Sequence, residues 1–231
     1  MLLTANMKLH VIILLFFIPN ILLSQFDDKE MYVYSRLNVS VGMRDFTFSS
    51  SIEEGLDNPL MAQLKLSSGI TPEIGIGFMM LDHFFVEGNV GYTLLNKNGY
   101  QPEGSTYYID TYNFNRLKIG VNGVYYVDID SYSTLFGTMG VKANIPENLQ
   151  ITTSHSIENL KYNASVTFTT GFGGNFNYNN FIFGVGLHFN MENYTLSKGQ
   201  ELPPNFLELN PDFSKLKLRS MILNASIKYL F

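Results

Sequence analysis

A chain of 231 residues without cysteine holds no disulfide, thiolate metal site or thiol nucleophile. Its 20 acidic and 15 basic residues leave a formal charge of -5, and no basic patch points to nucleic acid as a partner. Phe and Tyr are plentiful, at 19 and 14 copies, yet beyond residue 24 no segment is long and apolar enough for a spanning helix.

The first predicted element is an apolar run from Val11 to Leu23, interrupted only by Pro19 and Asn20. Lys8 and His10 precede it, and Ser24-Gln25 ends it. This reads as a signal peptide over residues 1–24, cleaved near Ser24-Gln25, with Met7 as an alternative start. The run is short for a transmembrane helix, and no cationic stop-transfer cluster follows. Residues 25–231 remain as one domain, carrying 14 basic against 20 acidic residues. A membrane protein of this composition must be a closed barrel, because only strands are left to cross the bilayer.

Eight alternating segments follow. The first covers Tyr32 to Arg44, with Val33, Leu37, Val39 and Val41 opposing Arg36, Asn38 and Ser40. The second begins near Gln63 and is bent or split at Gly69 to Pro72; beyond that, Ile74, Ile76, Phe78 and Met80 oppose Glu73, Gly75, Gly77 and Met79. The third, Phe84 to Leu95, sets Val86, Val90 and Tyr92 against Glu87 and Asn89. The fourth, Tyr112 to Val127, opposes Leu117, Ile119 and Val121 to Arg116, Lys118 and Asn122. The fifth, Tyr132 to Ile145, places Lys142 on its polar face. The sixth runs from about Leu160 to Asn177. The seventh has an outer face of Phe181, Phe183, Val185, Leu187 and Phe189, with His188 and Asn190 on the other. The eighth, Lys215 to Phe231, carries Lys228 on its polar face and ends Tyr229-Leu230-Phe231.

Such alternation suits an apolar exterior around a polar lumen, although a soluble sandwich also alternates. The spacing between segments favours the barrel. Tight turns are expected at Leu81-Asp82-His83, Asp128 to Ser131 and Tyr178-Asn179-Asn180. Long links run from Asp45 to Met61, Asn96 to Thr111, Pro146 to Asn159 and Met191 to Phe213. Short turns at one end and long loops at the other are the outer-membrane pattern, with both chain ends on the periplasmic side and the long loops extracellular.

With these strands and the terminal Tyr229 and Phe231, the chain from about Tyr32 to Phe231 resembles the small eight-stranded outer-membrane β-barrels. That family includes the transmembrane domain of OmpA and the OmpX-like proteins. Its Asn- and Tyr-rich strands look most like Bacteroidetes versions. The resemblance implies an all-β, antiparallel transmembrane barrel in contact with outer-membrane lipid and lipopolysaccharide. It also implies that Tyr229 and Phe231 form part of a signal read by the barrel-assembly machinery.

The polar parity places Arg36, Glu73, Glu87, Arg116, Lys118, Lys142, His188 and Lys228 in the lumen. Charges of both signs in a narrow barrel predict a plug of ion pairs, since an unpaired buried charge is costly. Neighbouring third and fourth strands make Glu87 with Arg116 or Lys118 the expected pair. His188 reads as a hydrogen-bonded lumen residue, and no catalytic, cofactor or metal constellation stands out. In the long loops, Tyr100, Tyr107, Tyr108 and Phe206 are candidates for contact with an extracellular protein or glycan, or for packing the loops together. The leading expectation is a nonenzymatic structural or surface-interaction barrel. The alternatives are a narrow pore, a lipid-modifying barrel enzyme and a soluble lipocalin-like binder.

Overall fold

The computed structural model describes residues 31–43, 46–50, 60–98, 109–153, 157–200 and 214–231. The expected signal segment over residues 1–24 lies outside them, as do Tyr100, Tyr107, Tyr108 and Phe206. The described residues form β1 (Met31–Gly42), β2 (Phe46–Ser50), β3 (Leu60–Leu64), β4 (Gly69–Leu81), β5 (Phe84–Thr93), β6 (Asn96–Asn98) and β7 (Ile109–Asn113). They continue as β8 (Arg116–Asp128), β9 (Ser133–Pro146), β10 (Leu149–Thr153), β11 (Ile157–Leu160), β12 (Ser165–Tyr178), β13 (Phe181–Thr195) and β14 (Lys215–Leu230).

Eight of these strands close a barrel in the order β1-β14-β13-β12-β9-β8-β5-β4, and β4 returns to β1. Every pairing around the ring is antiparallel. Closure runs from Tyr32↔Leu230 to Gly42↔Ser220, so the wall presents no free edge along that seam. At the short-turn end, β4–β5 and β12–β13 reverse tightly, with His83 and Asn179 at φ 65° and 54°. Asn and His are among the residues that tolerate this left-handed region. In the β8–β9 turn the Asp130 carboxylate accepts from the Tyr132 amide at 2.8 Å.

The wall alternates as the sequence reading expects. Val185 is 66% exposed and Phe168 78%, values that suit lipid and not water. Along β13 the outward apolar set continues from Phe181 to Met191, enough at barrel tilt to cover a band roughly 25 Å tall.

Several strand limits differ from the sequence reading. The expected fourth strand breaks ahead of Arg116, and β7 leaves the wall. Asn115 is the cause: its Oδ1 accepts from the Leu95 amide at 3.1 Å, and its Nδ2 donates to Glu147 Oε2 at 3.1 Å. Its carbonyl also accepts from the Glu147 amide at 2.8 Å. The expected sixth strand splits likewise into β11 and β12. The pieces β11-β10-β7-β6 form a separate four-stranded sheet at the long-loop end. A hairpin, β2–β3, occupies part of the first long link. Finally β13 runs on to Thr195, past the expected loop start at Met191.

Apolar residues from all round the ring meet at this end. Leu66, Leu95, Phe114, Leu149, Ile151, Leu160, Tyr194 and Leu216 are buried together in one cluster. β8 and β14 lie on opposite sides of the ring, so side chains following or leading them can meet only across its mouth. Burial in this cap pushes the Tyr162 hydroxyl well above its ordinary pKa.

Candidate functional site in the barrel lumen

Inward residues stack in layers up the barrel. Nearest the short turns lies an aromatic floor of Tyr32, Phe85, Tyr126 and Phe136, which the reading of a purely polar lumen does not contain. The rings of Tyr32 and Phe85 sit 5.2 Å apart, and those of Phe85 and Tyr126 5.4 Å. Glycine makes the room. A Cβ on Gly77 would fall 2.3 Å from the Tyr32 ring, and one on Gly173 2.5 Å from the Phe136 ring. Gly77→Ala is therefore expected to lower the yield of heat-modifiable, folded barrel, and Tyr32→Ser in the same chain to recover much of it. Equal yields from Gly77→Ala and the parent chain would reject this close fit.

Above the floor lies the first ionic layer. Arg36 donates to Glu73 Oε1 at 3.0 Å and to Glu87 Oε2 at 3.1 Å. Lys142 donates to Glu73 Oε2 at 2.5 Å. Lys228 donates to Glu87 Oε1 at 3.3 Å and also bonds the Tyr126 hydroxyl. The Tyr32 hydroxyl donates to Glu87 at 2.6 Å. Lys228 also lies over the rings of Tyr32, Tyr126 and Phe136, at 4.8, 5.0 and 5.6 Å. The layer thus joins three cations to two carboxylates.

The second layer stands towards the loop end. Glu192 accepts from Arg116 at 3.1 Å, Lys118 at 2.6 Å, Asn190 at 2.7 Å and Tyr194 at 2.6 Å. Arg116 also donates to the Leu66 carbonyl at 3.2 Å, which ties this layer to the apolar cap. The pairs cross the lumen: β8 and β13, like β4 and β9, are three positions apart in the ring.

Of the residues singled out in the sequence, Arg36, Glu73, Glu87, Lys142 and Lys228 come together, and Arg116 and Lys118 form a separate group. The expected pairing of Glu87 with Arg116 or Lys118 is corrected. In the β5–β8 register Glu87 faces Asn122, whereas Lys118 faces Gly91 and Arg116 faces Thr93. Four residues of rise, roughly 13 Å, divide Lys118 from that level. Glu192 is the residue the sequence reading missed. Its signal was the inward parity of His188 and Asn190 continuing for one more step.

His188 is buried on the inward face, as expected, and its Nε2 has no hydrogen-bond partner among the described residues. Its register neighbours, Gly171 and Ile222, offer no side-chain polar group. Tyr229 packs outside the barrel, its ring 5.2 Å from Phe181 and 4.9 Å from Phe231.

Fold and lumen together define a closed, eight-stranded antiparallel β-barrel of the outer-membrane type. Solved structures with this fold include Neisserial surface protein A, at 16% identity and a TM-score of 0.50, covering 87% of this chain and 97% of that one. The outer membrane protein OprG from Pseudomonas aeruginosa aligns at 12% identity and a TM-score of 0.53, covering 90% and 98%. At these identities the likeness is one of fold: the barrel fold is that of these bacterial outer-membrane proteins. No protein-family model matches the sequence, and no curated protein does.

Proposed function

We propose that this chain is a nonconducting, nonenzymatic outer-membrane barrel that displays a packed sheet at the cell surface. Residues 1–24 direct export, and Tyr229 with Phe231 serve the assembly machinery. The short turns are periplasmic and the long-loop end is extracellular. The carrying observation is the series of obstructions in the lumen: an aromatic floor, two ionic layers and an apolar cap. A pore needs a continuous wet path, and each layer here is built from buried side chains of opposing walls. At the far end, the cap holds the sheet of β6, β7, β10 and β11 against the barrel mouth, which suits presentation of a rigid surface to an extracellular protein or glycan.

The test is conductance of the refolded barrel in a planar bilayer. Membranes should stay silent although the protein is inserted and heat-modifiable. Steady, ion-selective channels would move the assignment to a narrow pore. Orientation is read separately from Lys198→Cys at the loop end and Asp130→Cys at a short turn, in a chain that has no other cysteine. An impermeant maleimide should label the first on intact cells and the second only after permeabilisation.

A further inference from the structure

The outer wall carries a cationic ladder just where its apolar band stops. On β14 the outward positions read Tyr229, Ile227, Ala225, Leu223 and Met221 from the short-turn end, and then Arg219, Lys217 and Lys215 at the other end. All three cations are exposed. Register fixes their height: Arg219 pairs with Met191, the last apolar residue of the band on β13, Lys217 with Asn193 and Lys215 with Thr195. None of these neighbours is acidic, and among the described residues no carboxylate forms an ion pair with any of the three. The same six residues line a surface groove of about 400 Å³. The opposite end of the band is built differently: Phe181, Tyr229 and Phe231 form an aromatic cluster there.

We infer that Arg219, Lys217 and Lys215 form a docking site for the phosphate of an outer-leaflet glycolipid, lipopolysaccharide. Alternate residues on one strand stand roughly 6.8 Å apart, so one phosphorylated headgroup reaches two of the cations. Guanidinium and ammonium groups bind phosphate oxygens by charge-assisted hydrogen bonds. The ligand is an amphiphile because the ladder continues directly from the lipid-facing band. Its phosphate must sit at the top of acyl chains that lie along Leu223, Leu187 and Phe189. A soluble anion has no use for that placement. The choice of lipopolysaccharide over a phospholipid rests on the extracellular orientation proposed above.

The experiment titrates the full-length folded barrel in detergent with lipid A, dephosphorylated lipid A or phosphatidylglycerol, and counts bound lipid by native mass spectrometry. The parent chain should prefer phosphorylated over dephosphorylated lipid A by at least about tenfold. Replacing Lys215, Lys217 and Arg219 together with Gln should erase that preference and leave heat modifiability unchanged. Lys215→Arg with Lys217→Arg should keep it. A Gln variant that binds like the parent, or a parent indifferent to the phosphates, overturns the site. Equal binding of phosphatidylglycerol overturns the glycolipid assignment. Surface labelling at Lys198→Cys separates the two readings: labelling only after permeabilisation, with phosphate preference intact, overturns the orientation and the glycolipid with it, and supports the phosphate site alone.

Discussion

Glu87→Ala is expected to destabilise the folded barrel by about 3–5 kcal/mol, the range for removing one partner of a buried ion pair. The carboxylate is fully buried and accepts from Tyr32, Arg36 and Lys228. Arg36 keeps Glu73 when Glu87 is gone. Lys228 does not fare so well. It is 2% exposed, and it is left with the Tyr126 hydroxyl and three aromatic faces. The loss should therefore be traceable to one stranded ammonium. Lys228→Met in the Glu87→Ala chain should restore a good part of the stability, with a coupling of about 1–3 kcal/mol between the two sites. The measurement is reversible urea unfolding of the barrel in lipid vesicles. A single variant within about 0.5 kcal/mol of the parent, or strictly additive effects, would sink the claim that this network carries stability.

How much of this was legible in the residues divides along a physical line. Strand parity is local, so Val185 outward and Lys228 inward follow from a two-residue period without knowledge of any partner. Turn against loop is equally local: Tyr178-Asn179-Asn180 has room for nothing but a reversal. Pairing across the lumen is not local. Glu87 and Arg116 sit on adjacent strands, yet register sets them at different heights, and the real partners of Glu87 come from β1 and β14. The inward aromatics were hidden for a related reason. Tyr32 and Phe136 share the parity of charged neighbours, and only the glycines opposite them, Gly77 and Gly173, leave space for rings in so narrow a barrel. The loop-end sheet was masked because Tyr112 and Leu160 prolong the alternation of the wall strands that follow them. At the Tyr112 break the chain is tied by the hydrogen bonds of Asn115 to Leu95 and Glu147, made by a side chain with no distinctive pattern in sequence.

Glu192→Ala should cost as much as Glu87→Ala, again about 3–5 kcal/mol, but its effect should be felt at the other end of the barrel. Glu192 is the shared acceptor of four donors. Without it, Arg116 retains the Leu66 carbonyl and the Phe114 ring, at 5.3 Å, whereas Lys118 loses its ion-pair partner. Two like charges then stand side by side on one face of β8 with no carboxylate to neutralise them. Because Arg116 holds Leu66, and Leu66 packs in the cap, amide exchange should accelerate at Leu66, Leu149 and Ile151 while the β12–β13 turn keeps its protection. Lys118→Met in the same chain should reverse most of the loss. The two ionic layers also act in series. Glu192→Ala leaves the lower layer intact and Glu87→Ala the upper one, so neither variant alone should conduct in a planar bilayer. A chain carrying both should also stay silent, because the aromatic floor and the apolar cap remain. Conductance from either single variant would mean that one ionic layer alone seals the lumen, and current from the folded double variant would place the seal in the two ionic layers together and not in the floor or the cap.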